Sequence, residues 1–326
     1  MKITRETAEF ALINRYFKKL TKSRDDVVLG IGDDAALLKV PDGMTLAVSM
    51  DTLVSGIHFF EDVTPEYLGH KALAVNLSDL AAMGAAPAWV TLSLTLPEVN
   101  ETWVYDFCRG FAGLAKQYDV QLIGGDTTKG PLSISVQVHG FVPQHLAMRR
   151  DAARVGDDIY VTGTLGDAAL ALKHLKDNQL KSPLSLPLID RLERPQPRVE
   201  AGVALRHLAH SAIDLSDGLL ADLGHILSLS GVGASLALEK IPLSSEVASV
   251  VDLHRDWSLT VSGGDDYELC VTLPEAGRAE VAEISCRLGL AITRIGKIEK
   301  QPGLRCRESN GNIWSPPHLG FDHFSS

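Results

Sequence analysis

The stretch Ala212-Ile213-Asp214-Leu215-Ser216-Asp217-Gly218 joins a short apolar run to two aspartates, a serine and a glycine. Apolar runs of this kind, ended by turn residues, are typical of buried strands. We therefore predict that both carboxylates stand at the end of a strand. Five further stretches carry aspartate beside glycine or serine, at residues 30–34, 49–52, 76–79, 124–127 and 262–266.

Four of these five stretches also follow short apolar runs, at residues 27–29, 46–48, 122–123 and 259–261, which we predict to be strands. Mg²⁺ prefers carboxylate oxygens, takes one or two of them per ion, and shares the rest of its shell with water and substrate phosphates. Carboxylates spread over several loops therefore suit several Mg²⁺ ions that hold phosphates. Because a lone Asp-Gly pair is more often a turn, at least one stretch is expected to be only that.

Length and charge restrict the class of protein. The chain has 326 residues, which favours two domains, and its net charge of −10 argues against a nucleic-acid partner. The first residues lack the apolar core of a signal peptide, and charges interrupt every later apolar run before it could cross a bilayer, so we expect a cytoplasmic protein with no membrane partner. The four cysteines show no CxxC spacing, which predicts neither disulfides nor a zinc site.

Predicted helices and strands alternate along the chain. Apolar spacing predicts helices over residues 6–20, 65–83, 101–118, 166–176 and 197–210, the third capped by Asn100. Further predicted strands cover residues 45–49, 89–96, 120–123, 132–142, 159–162, 234–238, 268–273 and 291–298, and residues 182–187 are predicted to form a loop. This alternation predicts an α/β fold, and the change of character over residues 143–158 places a domain boundary there.

Several candidate residues allow two interpretations. Asp79 lies in the apolar stripe of the helix over residues 65–83, where it is either exposed or buried beside a metal or a basic partner. Arg149 and Arg150 are either a solvated pair or include a phosphate clamp. His58, beside two phenylalanines, carries little weight by itself.

Familiar nucleotide-binding motifs do not explain the chain. Residues 30–35 match the G-x-G-x-x-A dinucleotide fingerprint, but only ten residues, interrupted by Pro41-Asp42-Gly43, precede the next strand, so the required crossover helix is missing. The phosphate loop of P-loop proteins, the protein-kinase signatures and the G-x-S-x-G nucleophile motif are also absent. Any ATP chemistry must use another scaffold.

Taken together, the motifs resemble those of the thiamine-monophosphate kinase family over nearly the whole chain. The stretches that carry the resemblance are Gly30-Ile31-Gly32-Asp33-Asp34-Ala35, Asn76-Leu77-Ser78-Asp79-Leu80-Ala81-Ala82-Met83-Gly84, Gly124-Gly125-Asp126-Thr127-Thr128, Ile213-Asp214-Leu215-Ser216-Asp217-Gly218-Leu219, Ser262-Gly263-Gly264-Asp265-Asp266-Tyr267-Glu268-Leu269 and Gly320-Phe321-Asp322-His323-Phe324. The family belongs to the ATP-binding superfamily of aminoimidazole ribonucleotide synthetase and selenophosphate synthetase.

The resemblance implies a two-domain α/β (α+β) fold and a homodimer in which the N-terminal sheets pair. Residues 1–147 would bind ATP and magnesium and dimerise, and residues 148–326 would complete the active site. The implied activity is transfer of the ATP γ-phosphoryl group to thiamine monophosphate, giving thiamine diphosphate, with several Mg²⁺ ions as cofactors. ATP and thiamine monophosphate would thus be the partners, besides a second copy of the chain.

The resemblance also implies roles for individual residues. The positions of metal ligands are Asp34, Ser49, Met50, Asp51, Asp79, Asp126, Asp214 and Asp217. Nucleotide contacts fall on Gly125, Asp126, Arg150 and Ser216, and substrate contacts on His58, Asp265 and His318. No catalytic residue separate from the metal ligands is implied.

Three positions depart from the family pattern. Met50 replaces a threonine, so a metal contact there requires its main-chain carbonyl; Asp265 replaces a frequent glutamate, and His318 a frequent tryptophan. Two other interpretations stay open. One is a synthetase of the same superfamily, although no cysteine precedes Cys108 as selenophosphate synthetase would require; the other is a non-enzymatic Mg-nucleotide-binding protein.

Overall fold

The computed structural model describes residues 11–177, 185–254 and 256–321. The chain forms two compact units, which we call unit 1 (Met1–Leu80 and Ala86–Gln144) and unit 2 (Ala81–Ala85 and His145–Ser326). The functions predicted for the two domains stay predictions. In the described ranges, no helix is long and apolar enough to cross a membrane.

Unit 1 is built around a four-stranded sheet. Unit 1 has six described strands, four in this sheet and two in a separate pair. They are β1 (Val27–Leu29), β2 (Leu37–Leu38), β3 (Met44–Val54), β4 (Ala86–Leu96), β5 (Gln121–Lys129) and β6 (Ser133–Pro143). The sheet order is β3-β6-β4-β5, with β4 and β5 parallel and the other pairs antiparallel, while β1 and β2 pair separately. Among the described residues, β3 is therefore an edge strand of this sheet.

Two helices complete unit 1: α1 (Pro65–Ala82) and α2 (Glu101–Gln117). Both confirm sequence predictions, and Asn100 caps α2 as expected, because its side-chain oxygen accepts a hydrogen bond from the N–H of Trp103. A short π-helical turn, Ile13–Phe17, precedes β1. The first part of the predicted helix over residues 6–20 lies outside the described residues.

Two predicted loops of unit 1 are in fact strand. Residues 49–52 lie within β3, whose pairing with β6 runs without interruption from Met44 to Val54. Residues 124–127 lie within β5, which continues past Gly124 and Gly125 because the ladder with β4 absorbs the irregularity as a shift in register. The prediction that these aspartates stand beyond strand ends was therefore wrong.

Unit 2 contains a seven-stranded sheet and seven α-helices in its described part. The strands are β7 (Asp158–Thr162), β8 (Ser211–Asp214), β9 (Gly233–Ala237), β10 (Leu269–Leu273), β11 (Ile292–Glu299), β12 (Gly303–Arg307) and β13 (Ile313–Trp314). The helices are α3 (Asp167–Lys176), α4 (Leu186–Glu193), α5 (Val199–Leu205), α6 (Leu219–Ser230), α7 (Ser245–His254), α8 (Ser258–Val261) and α9 (Arg278–Leu288). The sheet order is β13-β12-β9-β11-β7-β10-β8.

The predictions for unit 2 were confirmed for most strands but failed at three places. Residues 259–261 belong to helix α8 instead of a strand. The Asp256 carboxylate accepts the N–H and hydroxyl of Ser258, a local turn just before the helix that competes with the strand preference of Thr260 and Val261. The helix predicted over residues 197–210 is shorter in the structure, where only α5 is helical. Part of the loop predicted over residues 182–187 lies outside the described residues, and its last two residues belong to α4.

Candidate functional site

In unit 1, α1 and β3 bring four polar groups together. The Ser49 hydroxyl donates to Oδ2 of Asp79 over 2.5 Å, and the main-chain N–H of Asp51 donates to the side-chain oxygen of Asn76 over 2.9 Å. Ser49 and Asp51 are two residues apart and so share one face of β3, while Asn76 and Asp79 are three residues apart and so lie on one side of α1. The two elements can therefore form both hydrogen bonds. Asp79 is half-buried and hydrogen-bonded, which excludes the fully exposed interpretation.

Asn76 is a functional candidate that the sequence reasoning did not assign. Its side chain is 1% exposed, and its Nδ2 donates to the carbonyl of Ala72 while its oxygen holds Asp51. A buried amide that bridges a helix and a strand fixes where the Asp51 backbone lies. The signal in the sequence was an amide inside the most apolar part of α1.

The remaining candidates of unit 1 lie on its surface. The side chain of Asp126 is exposed, and the neighbouring Gly125 is required because a Cβ there would overlap the carbonyl oxygen of Leu92 on β4. Asp34 is also exposed, and its N–H donates to its neighbour Asp33. Met50 is 58% exposed, so its side chain lies outside the core of this chain.

His58 is fixed by its own turn. The N–H of Val54 donates to Nδ1 of His58 over 3.0 Å, so Nδ1 acts as an acceptor. A neutral imidazole that accepts at Nδ1 carries its proton on Nε2. The donor of the neutral ring is therefore Nε2.

In unit 2, two predicted site stretches form one continuous ladder. Asp214 is buried at the end of β8, opposite Leu269 on β10. Beyond these strands the pairing continues, as the N–H of Tyr267 donates to the carbonyl of Leu215 and the N–H of Asp265 to that of Ser216, each over 2.8 Å. Ser216 and Asp265 are therefore neighbours.

Asp222 supports the stretch around Ser216 and was missed by the sequence reasoning. Its carboxylate accepts the N–H groups of Asp217 and Gly218, each over 3.1 Å. Burial raises the pKa of Asp222 to about 7, and the nearby charge of Asp217 adds to the rise. The signal in the sequence was an acidic residue in the first turn of the helix that follows the motif.

Arg150 lies at the opposite end of α6 from Ser216. The hydroxyl of Ser230, the last residue of α6, donates to the carbonyl of Arg150 over 3.0 Å. The twelve residues of α6 span about 18 Å, so the structure does not bring Arg150 and Ser216 together. The guanidinium of Arg149 is engaged by Asp151, with hydrogen bonds of 2.6 and 2.8 Å.

His318 lies against the loop that carries Asp265. The hydroxyl of Ser262 donates to the carbonyl of His318 over 2.7 Å, and the N–H of Phe321 donates to the carbonyl of Asp217 over 3.1 Å. The backbone of His318 is thus attached to the loop that carries Asp265, and Phe321, three residues on, is attached to Asp217. Its imidazole is exposed.

These side chains fit a hard cation that shares its shell with a ligand. They offer carboxylate and hydroxyl oxygens, as in the Ser49 and Asp79 pair, and Mg²⁺ takes only one or two protein carboxylates when phosphates and water supply the rest. In residues 11–177, 185–254 and 256–321, no group of three or more His, Cys, Asp or Glu side chains lies close enough to hold a metal. The arrangement suits ions shared with substrate phosphates better than a cage made by the protein alone.

Comparisons with known proteins identify the family. Residues 32–142 match the AIR synthase related protein, N-terminal domain, and residues 154–308 match the corresponding C-terminal domain. The chain is 49% identical to thiamine-monophosphate kinase of Escherichia coli strain K12, over 98% of each chain. The chain belongs to the thiamine-monophosphate kinase family.

Solved structures of thiamine-monophosphate kinases share the fold. The enzyme from Stenotrophomonas maltophilia K279a is 48% identical, with a TM-score of 0.84 over 92% of this chain and 96% of that one. The structure of AaThiL complexed with AMPPCP and TMP is 33% identical, with a TM-score of 0.74 over 90% and 92% of the two chains. The expected two-domain fold with mixed helices and sheets is therefore confirmed.

Proposed function

We propose that this protein transfers the γ-phosphoryl group of ATP to the phosphate of thiamine monophosphate, giving ADP and thiamine diphosphate. The observation that carries the proposal is similarity over nearly the full length to thiamine-monophosphate kinases. The complex of a related protein with AMPPCP and TMP adds support, because it combines an ATP analogue with the expected acceptor.

The acidic side chains bind Mg²⁺ together with the substrate phosphates. In unit 1 the oxygens come from Asp34, Ser49, the Met50 carbonyl, Asp51, Asp79 and Asp126, and in unit 2 from Asp214 and Asp217. Bound Mg²⁺ neutralises phosphate charge, which is the main requirement of phosphoryl transfer. The hydrogen bond from the Ser49 hydroxyl to Asp79 and the one from the Asp51 N–H to the Asn76 side chain support this assignment, because they fix Ser49, Asp79 and the Asp51 backbone in advance.

The nucleotide contacts are Gly125, Asp126, Arg150 and Ser216. Gly125 lets β5 approach β4 closely, because a Cβ there would overlap the Leu92 carbonyl oxygen, and both Gly125 and the neighbouring Asp126 are exposed. Arg150 and Ser216 lie at opposite ends of α6, so within one chain they contact different parts of the ligand set. A guanidinium suits phosphate oxygens because its donors match their spacing.

The acceptor contacts are His58, Asp265 and His318. The N–H of Val54 holds Nδ1 of His58, so any hydrogen bond that the neutral ring donates to the acceptor phosphate comes from Nε2. The carboxylate of Asp265 attracts the cationic thiazolium, and the exposed ring of His318 offers a flat surface. An acceptor phosphate is already ionised at neutral pH, so no separate catalytic base is needed.

The protein acts as a cytoplasmic homodimer that pairs through the sheet of unit 1. Strand β3 has an unpaired edge, and it exposes the apolar side chains of Met44, Leu46, Val48 and Met50. An exposed edge strand with apolar side chains is normally covered by a partner. A second copy of the chain would cover both the edge and this apolar surface.

The test of the function is a product assay with purified protein, ATP and Mg²⁺. Thiamine monophosphate should yield thiamine diphosphate and an equal amount of ADP, whereas thiamine should yield no phosphorylated product. ATP hydrolysis without thiamine diphosphate would contradict the proposal.

A further inference from the structure

Residues 318–321, which we call the 318–321 segment, are held to unit 2 at both ends. At one end the Ser262 hydroxyl donates to the carbonyl of His318, and at the other the N–H of Phe321 donates to the carbonyl of Asp217. Ser262 is only 4% exposed, so its hydrogen bond is shielded from water. The segment therefore spans from the loop that carries Asp265 to the loop that carries Asp217.

Close packing in the middle supports the same placement. A Cβ added at Gly320 would come within 2.6 Å of the Ala221 Cβ and within 2.7 Å of the Asp217 carbonyl oxygen. Only glycine allows the backbone to approach α6 this closely. The main chain of the segment is thus fixed against both loops.

The side chains of the segment, in contrast, face solvent. Leu319 is 63% exposed, Phe321 is 54% exposed, and His318 is exposed as well. A surface with a fixed backbone and exposed flat or apolar side chains can cover the rings of a ligand at small cost in conformational entropy.

We propose that Ser262 is a positioning residue of the acceptor site, acting by fixing the 318–321 segment beside Asp265. This inference rests on the proposed function, because it takes the acceptor to be thiamine monophosphate. Ser262 lies three residues before Asp265, whose N–H is in turn bound to Ser216. The hydroxyl of Ser262 therefore sets the distance between the loop that binds the cationic ring and the segment that covers it.

The test compares Ser262→Ala with Ser285→Ala in the full-length protein. Ser285 is a matched control, because its hydroxyl also donates to a main-chain carbonyl over 2.7 Å, that of Leu290, in another part of unit 2. Calorimetry measures binding of thiamine monophosphate and of AMPPCP in the presence of Mg²⁺. Hydrogen exchange measures the protection of the main-chain amides in the 318–321 segment.

We expect Ser262→Ala to weaken binding of thiamine monophosphate about tenfold, the effect of one lost hydrogen bond, with little change for AMPPCP. In the same variant the amides of the segment should exchange faster. Turnover at saturating substrate should stay close to that of the wild type, because the lost contact acts on binding. Ser285→Ala should change none of these quantities.

Each contrary outcome has a separate meaning. Unchanged amide exchange in Ser262→Ala would overturn the anchoring role, and faster exchange with unchanged acceptor binding would overturn the link to the acceptor. Equal effects on the acceptor and on AMPPCP would indicate general loosening and also overturn the inference. A wild-type protein that binds thiamine monophosphate but forms no thiamine diphosphate would refute the proposed function alone. The role of Ser262 would still be tested by amide hydrogen exchange and by the binding measurements.

Discussion

Arg149 and Arg150 are adjacent but have different surroundings. The guanidinium of Arg149 donates two hydrogen bonds to the Asp151 carboxylate, whereas the Ser230 hydroxyl donates to the main-chain carbonyl of Arg150. We predict that Arg150→Lys raises the KM for ATP more than Arg149→Ala does, because lysine keeps the charge but loses the forked geometry that binds phosphate. Steady-state kinetics with varied ATP measures this. Equal effects, or a larger effect at Arg149, would contradict the assignment.

A buried ion cluster next to the acceptor loop gives a second prediction at the residue scale. Glu268 is fully buried and accepts hydrogen bonds from Arg191 over 2.8 Å and from Arg198 over 2.5 and 2.6 Å. We predict that Arg191→Met lowers the free energy of unfolding by about 3 kcal/mol at pH 7, because it leaves buried carboxylates with less compensation. Denaturant titration measures the change.

The stability that Arg191→Met loses should depend on pH in a defined direction. Burial raises the pKa of Asp266 well above its usual value, and the charge of Arg191 opposes that rise. A carboxyl group with a raised folded-state pKa contributes full stability below its unfolded pKa of about 4, and that contribution is lost as pH rises through the folded value. Removing Arg191 raises the folded-state pKa of Asp266 further. The difference in unfolding free energy between the wild type and Arg191→Met should therefore become smaller toward pH 4.

A surface variant of the same region serves as control. Arg194 at the end of α4 pairs with Asp190, and both side chains are about 40% exposed. Arg194→Met should change stability by less than about 1 kcal/mol at any pH, as exposed pairs do. A deficit of Arg191→Met that is no larger than this, or that grows toward low pH, would refute the account of the cluster.

At the scale of elements, the contact between α1 and α2 depends on two glycines. A Cβ at Gly110 on α2 would overlap the carbonyl of Glu66, and one at Gly69 on α1 would overlap that of Phe107. We predict that Gly110→Ala destabilises the protein by about 1 to 3 kcal/mol, because the two helices must move apart. Gly113→Ala is the matched control on the same helix, since a Cβ there meets nothing within 4 Å.

Gly113→Ala should stabilise the protein by up to about 1 kcal/mol, because alanine favours helix over glycine. Thermal unfolding of both variants tests the pair of expectations. If Gly110→Ala were as stable as Gly113→Ala, the close approach of the two helices would not be a feature of the folded protein.

The elements that the sequence predicted well share a local cause. Helix α1 begins at Pro65 and α2 is capped by Asn100, and both signals act within one turn of the helix. The failures depend on partners far along the chain. The stretch 49–52 stays in β3 because β6 supplies a complete ladder, which no local pattern reveals.

The candidate site shows the same division. The aspartates that the motifs singled out could be named from the sequence, since their spacing beside glycine and serine is a local pattern. Asn76 and Asp222 could not, because each acts through a contact that only the fold creates: Asn76 holds the Asp51 backbone, and Asp222 holds the N–H groups of Asp217 and Gly218. The hold of Ser262 on His318 likewise joins residues 56 positions apart.

At the scale of the whole molecule, the proposed homodimer can be tested through β3. Val48 is 50% exposed on the edge strand β3, and Val99, 60% exposed in another part of unit 1, is a matched control. We predict that Val48→Asp weakens self-association measured by sedimentation, because it places a charge in an apolar interface, while Val99→Asp does not. A wild-type protein that sediments as a monomer, or equal behaviour of both variants, would contradict the proposed interface.

The central claim is direct phosphoryl transfer from ATP to thiamine monophosphate, and the fate of the γ-phosphoryl group tests it most directly. With ATP labelled at the γ-phosphorus, the label should appear in the terminal phosphate of thiamine diphosphate, and one ADP should form for each thiamine diphosphate. Asp126→Asn should lower the rate by orders of magnitude while the fold stays intact. Label released as inorganic phosphate, or near-normal turnover of Asp126→Asn at ordinary Mg²⁺, would contradict the account.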